Sequence, residues 1–227
     1  MQSYVTVYQG GEGEIVEKKS RFIAQVFPVE TEEETARIIE ETKKKYWDAR
    51  HNCYAFVLGA GGEISRCSDD GEPSGTAGRP ILEVIMGKGL RNVLVIVTRY
   101  FGGTLLGTGG LVRAYSAAAQ AGIDASQVIT KEVGVRLTVD TDYNGVGKLQ
   151  YVAAQQDVGI LDTVYAEQVQ MILLVPAAQC DRMIGEITEA TAGQAKIQKE
   201  EGQIYFARIE KEILLFEGEN GGNHGFI

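Results

Sequence analysis

The chain has 227 residues, 44% of them hydrophobic and 23% charged, and a net charge of −9. This is the make-up of an ordinary soluble globular protein of one large or two small domains, and the acidity argues against a generally basic nucleic-acid binder. No apolar run approaches the ~20 residues of a membrane span, the start Met1-Gln2-Ser3-Tyr4 is not a secretory leader, and Cys53, Cys67 and Cys180 are too few for a disulfide framework, so a cytoplasmic location is expected.

Tyr4–Gln9 and Gly13–Val29 read as strands around an exposed turn at Gly10–Gly13. Alternation through Ser20-Arg21-Phe22-Ile23-Ala24-Gln25-Val26 supports the second. Thr31 with Glu34 forms a capping box for a helix over Glu32–Lys45. Its acidic start and basic end, Lys43-Lys44-Lys45, both suit the helix dipole. His51–Leu58 and Glu63–Ser68 read as a hairpin joined at Gly59–Gly62. A first glycine-rich loop, Asp69 to Gly78, leads into a short helix over Pro80–Met86, ended by Gly87 and Gly89. Val93-Leu94-Val95-Ile96-Val97 is apolar at every position, as a central strand buried on both faces must be. A second glycine-rich loop follows, then an alanine-rich helix over Leu111–Gly122.

The pattern restarts near Lys131. Strand Val133–Val139, helix Tyr143–Gln156, strands Ile160–Gln168 and Val169–Val175, helix Ala177–Thr191 and strand from Ala195 give the order β-α-β-β-α-β, the ferredoxin-like plan. The expected fold is therefore α+β, with a first domain over 1–131, a ferredoxin-like domain over 132–212 and a disordered glycine-rich tail over 213–227. Charge is unevenly spread: 15 Lys and Arg against 17 Asp and Glu up to Glu132, then 7 against 14. A polyanion would meet the first half.

The chemistry concentrates in the two glycine-rich loops. The second lies between a buried strand and a helix, where N-terminal amides make an anion site. Thr108 is placed to cap that helix, Gly102, Gly103, Gly109 and Gly110 to present amides, and Arg99 and Arg113 to clamp phosphate. Arg79 and His51 extend the site. The GxxxxG spacing of Gly102 to Gly107 is followed by Thr108 where a P-loop needs Lys, and Gly107-Thr108-Gly109 lacks the third glycine of a dinucleotide fingerprint, so neither NTPase nor dehydrogenase is supported. Asp69, Asp70 and Glu72 in the first loop read two ways: as a Mg²⁺ or acid–base cluster, or as ion-pair partners that fix the loop and its arginines. His51, Cys53, Cys67 and His224 do not have the spacing of a structural zinc site.

His51-Asn52-Cys53-Tyr54-Ala55, the run Asp69 to Pro80, and Arg99-Tyr100-Phe101-Gly102-Gly103 with Leu106 to Tyr115 resemble the motifs of the IMPACT family. The likeness runs over nearly the whole chain. It implies a first domain like domain 2 of ribosomal protein S-five and domain IV of elongation factor G, followed by a ferredoxin-like domain. Eukaryotic relatives regulate translation initiation by competing for an activator of an initiation-factor kinase, through a further N-terminal domain that this chain does not show. For bacterial relatives the resemblance implies binding of RNA, the ribosome or a translation factor, with no cofactor, no DNA and no established catalytic residue. The expectation is thus a translation regulator binding RNA phosphate through its loops. The alternatives are a metal-assisted hydrolase or phosphotransferase using Asp69, Asp70 and Glu72, and a protein-interaction module using the acidic half.

Overall fold

The computed structural model describes residues 1–210, 212–217 and 223–226. It separates into two compact units, Gln2–Thr130 and Lys131 onward. No helix among the described residues is long and apolar enough to cross a membrane.

The first unit runs β1 (Tyr4–Gln9), β2 (Glu12–Glu17), β3 (Ser20–Pro28), α1 (Glu32–Lys45), β4 (His51–Leu58), β5 (Ile64–Ser68), α2 (Gly78–Gly87), β6 (Val93–Tyr100) and α3 (Thr108–Asp124). Its antiparallel sheet has the order β2-β3-β6-β4-β5. Strand side chains alternate between faces. Phe22, Ala24, Val26, Cys53, Ala55, Val57, Val93, Val95 and Val97 pack against α2 and α3. Leu94, Ile96, Phe56 and Leu58 pack on the other face with Ile38 and Ile39 of α1. The apolar run in β6 is therefore the middle of three layers, covered on both sides.

Local differences from the sequence reading have identifiable causes. The stretch 13–29 is two strands, because Lys18 and Lys19 take left-handed φ values of 46° and 67° and Glu17 pairs with Ser20. This is the backbone of a two-residue hairpin turn with lysines where Asn-Gly is usual. Strand β6 runs on to Tyr100, which makes Arg99 a strand residue. Helix α2 begins at Gly78 and α3 at Thr108. Thr31 Oγ1 accepts from the Glu34 amide at 3.1 Å, but the Glu34 carboxylate takes the amide of Glu30 at 2.9 Å, one residue ahead of the usual capping box.

The second unit is ferredoxin-like. Strand β7 (Gln127–Thr141), within which the division falls, is followed by α4 (Tyr143–Gln155), β8 (Gly159–Tyr165), β9 (Val169–Pro176), α5 (Cys180–Ala190) and β10 (Lys196–Lys199). The order β10-β7-β9-β8, antiparallel throughout, is the split βαβ arrangement. Val135, Leu137, Val139, Met171, Leu173 and Val175 meet Leu149, Ala153, Met183 and Ile187 of the two helices in one core. Beyond β10, strand β11 (Ile204–Ile209) takes over the same edge of β7, with Phe206 opposite Glu132. The tail expected to be disordered contains β12 (Glu212–Glu217) and β13 (Asn223–Phe226), paired antiparallel. That expectation rested on glycine content alone, and Ile213, Leu214, Leu215 and Phe216 supply a strand within it. Residues 218–222 and 227, and the side chain of His224, lie outside the described residues.

Candidate functional site

One end of the first unit's sheet collects the residues singled out above. Register fixes the placement: Arg99 lies opposite both Phe22 and His51, and Tyr100 opposite Arg21. The Lys18–Lys19 turn, the link from α1 to β4 and both glycine-rich loops therefore emerge at the same end.

The first loop divides its three carboxylates among three tasks. Asp69 accepts from the backbone amides of Gly75, Ala77 and Gly78 at 2.8, 3.0 and 2.9 Å, and so caps α2 from outside the helix. Asp70 takes Lys43 Nζ on one oxygen and the Asn52 amide on the other, both at 2.7 Å, joining α1 to β4. Glu72 accepts from Arg99 Nη1 at 2.6 Å and from the Tyr115 hydroxyl at 2.8 Å. Among the described residues no group of three His, Cys, Asp or Glu converges to hold a metal. Of the three, only Glu72 meets an arginine; Asp70 pairs with a lysine, and Asp69 binds backbone amides alone.

Arg99 is only 7% exposed. Its guanidinium carbon lies 5.4 Å from the Phe22 ring centre and 5.7 Å from that of Phe101, and its Nε is buried without a hydrogen-bond partner. The arginine is held as an internal post between the loops. Cys53 adjoins this network: its sulfur lies 3.0 Å from the Asp69 carbonyl and 3.3 Å from the Tyr115 oxygen. Burial pushes its thiol up to about 12, so it stays protonated and unreactive. Burial, with the neighbouring Cys53 and Glu72, also raises the Tyr115 phenol. His51 Nδ1 lies 2.9 Å from the Asp70 carbonyl oxygen. A carbonyl only accepts, so Nδ1 carries the proton of this bond.

Burial pushes the Asp69 carboxyl up, but the amides of Gly75, Gly78 and Ala77 together outweigh it and leave its pKa below the usual carboxylate range. A carboxyl lowered by folding contributes stability at every pH above its unfolded value and loses it as pH falls through the lowered folded one. Asp69→Asn is expected to cost about 1–2 kcal/mol at neutral pH and to flatten the acid limb of the stability curve. Urea midpoints measured across the acid range check this; an unchanged acid limb would contradict it.

The second loop presents the open surface. Thr108 does not cap α3: it is the first helical residue, and Gly107, with φ of 73°, is the cap and bonds no side chain. The amides of Thr108, Gly109 and Gly110 belong to the first turn, whose donors have no intrahelical partner. That turn carries no acidic residue. Arg113 is exposed, makes no ion pair among the described residues, and folds back so that a Cβ on Gly109 would lie 3.7 Å from its Nη1. Free amides, the positive helix pole and an unpaired guanidinium thus share one exposed turn. Phe101 and Leu105 in the same loop are 53% and 83% exposed. Arg79, by contrast, stands on α2 in an exposed pair with Glu83 at 3.0 Å. Gly102 and Gly103 are both in the loop, the first pressed on the Lys19–Ser20 backbone and the second with φ of 86°.

Sequence reasoning overlooked Trp47, which is 83% exposed in the link between α1 and β4. The signal available was an aromatic residue directly after Lys43-Lys44-Lys45-Tyr46 and before Arg50. Also overlooked was the pairing of Tyr100, whose hydroxyl donates to Asp48 at 2.8 Å and ties that link to the second loop.

Comparison with known proteins places both units. Residues 18–123 match the model of the Impact N-terminal domain, and residues 139–194 that of a domain of unknown function (DUF1949). A Bacillus subtilis protein described as IMPACT family member YvyE is 38% identical over 213 residues, covering 94% of this chain and 96% of that one. The Escherichia coli IMPACT family member YigZ is 32% identical over 182 residues, 79% of this chain and 89% of that one. The mouse protein IMPACT is 34% identical over 98 residues, 41% of this chain and 30% of its own. A crystal structure of a hypothetical protein superposes with a TM-score of 0.57 at 31% identity, covering 89% of this chain and all of that one.

Proposed function

Given that the chain belongs to the IMPACT family, we propose that it is a translation regulator that binds RNA, on its own or within the ribosome, through the end of the first unit's sheet. The observation that carries this reading is the first turn of α3: uncapped amides, Arg113 folded over them, and the exposed Phe101 in the loop that leads in. Each part is suited to a phosphate chain carrying bases. Arg99, Glu72 and Tyr115 support the loop from beneath rather than touching RNA. The contact residues are then Arg113, the amides of Thr108, Gly109 and Gly110, and the ring of Phe101, with His51 and Arg79 at the margins. The near-neutral charge of the first half, against the acidic second, favours the same location.

Binding of a single-stranded RNA, followed against salt concentration, tests the assignment. Loss of one phosphate contact in Arg113→Ala is expected to reduce the salt slope by about 0.7 and weaken binding at every salt concentration. Equal affinities and equal slopes for wild type and variant would remove Arg113 from the interface.

A further inference from the structure

Trp47 is the chain's one tryptophan. Its indole is 83% exposed, more than Phe101, Tyr143, Tyr151 or Tyr165, the other exposed aromatic residues among those described. A single exposed apolar side chain is ordinary on a protein surface, so what matters is what stands beside it. The surroundings narrow the kind of contact. Lys44 and Lys45 precede it, Arg50 follows it, and Lys18 and Lys19 project from the hairpin turn at the same end of the sheet. Lys44, Arg50, Lys18 and Lys19 are exposed and make no ion pair among the described residues. Lys45 Nζ sits 4.9 Å over the Tyr46 ring. These cations stand at the same sheet end as the bare indole, with Asp48 and Glu17 as the carboxylates of the same link and hairpin.

Trp47 also belongs to the same rim as the second loop. Its neighbour Asp48 accepts the Tyr100 hydroxyl at 2.8 Å, and Tyr100 is the neighbour of Phe101. Two exposed rings, Trp47 and Phe101, thus stand one residue to either side of a single hydrogen bond. Arg21, bound to Glu14 at 2.9 Å, lies 6.0 Å from the Tyr100 ring between them. Exposed aromatic faces at the same sheet end as unpaired lysines and Arg50 suit unstacked bases on a phosphate chain, since every base offers a π-face and every linkage a charge. A duplex keeps its bases stacked and offers the indole nothing comparable. We propose that Trp47 is a base-stacking anchor for single-stranded RNA, a role that rests on the RNA reading above and extends that interface from α3 across the sheet end to the α1–β4 link.

The lone tryptophan reports on itself. Indole emission is followed while the whole protein is titrated with oligouridine of about 12 nucleotides, with a duplex of equal length, and with RNA-free ribosomal protein; anisotropy of labelled RNA gives the affinities in parallel. Oligouridine is expected to quench the emission. Trp47→Ala is expected to weaken oligouridine binding about tenfold or more and leave duplex binding unchanged, while Trp47→Phe keeps most of the affinity. The side chain is exposed, so both variants retain the fold, which circular dichroism verifies. Oligouridine binding that depends on Arg113 with unchanged emission and an unaffected Trp47→Ala variant would overturn the anchor and leave the RNA reading standing. No RNA binding by either readout would remove the RNA reading and the anchor with it. Quenching by the ribosomal protein but not by oligouridine assigns the indole to a protein partner and likewise overturns the proposal.

Discussion

Glu72→Ala is expected to destabilise the first unit by about 3–5 kcal/mol. The carboxylate is the buried partner of both Arg99 and Tyr115, at 2.6 and 2.8 Å, with side-chain exposures of 7% for the arginine and 4% for the glutamate. Its removal strands a buried guanidinium whose Nε already lacks a partner, and a cation without counter-charge in that setting costs far more than the pair contributes. The cost therefore belongs to the broken pair rather than to the pair's own worth. Joint replacement, Glu72→Leu with Arg99→Met, removes both charges and is expected to recover most of the loss. Urea unfolding followed by circular dichroism measures both. A single-variant loss below about 1 kcal/mol, the range of a surface pair, would mean that water reaches the site.

Gly102→Ala is the second severe change, for a steric reason. A Cβ there would lie 2.1 Å from the Lys19 carbonyl carbon and 2.3 Å from both its oxygen and the Ser20 nitrogen. These are backbone atoms of a hairpin and cannot rotate aside. The loop must lift, giving up the bond from the Gly102 amide to Ser20 Oγ at 3.1 Å. A loss of about 3 kcal/mol is expected, at the upper end for overpacking. RNA affinity is expected to fall as well, because Phe101 moves with the loop. Gly103→Ala is the control. With φ of 86° and no atom within 4 Å, its cost is torsional only, about 1 kcal/mol. Equal losses in the two variants would show that the loop does not rest on the hairpin.

Much of the architecture was legible because it follows from side-chain period. The apolar run Val93–Val97 announced a strand covered on both faces, and the second half announced its ferredoxin-like order. What escaped depended on backbone torsion or on contacts distant in sequence. Nothing in Lys18-Lys19 signals a left-handed turn. The loop carboxylates are candidates to pair with its arginines, but nothing in the sequence selects Glu72 for Arg99, 27 residues away. The arginine therefore read as a phosphate ligand, where the structure holds it beneath the loop. Arg113 needed no distant information, since a helix start with glycines and an arginine one turn later is a local pattern. Trp47 lies beyond the end of α1 at Lys45, where no side-chain period marks it.

The carboxylates of Asp69, Asp70 and Glu72 reach Gly78 at the start of α2, Lys43 at the end of α1, and Tyr115 in the middle of α3. Four consecutive residues thus close chain loops that span 27 positions in one direction and 43 in the other. Such closures carry an entropic cost that is recovered only once the distant elements are in place. The segment that looks most like a movable loop is therefore held by side chains and amides of three separate helices. The turn that carries Arg113 is local, but the first loop beside it is not: transplanting Asp69 to Glu72 to another scaffold would carry over the letters without the geometry.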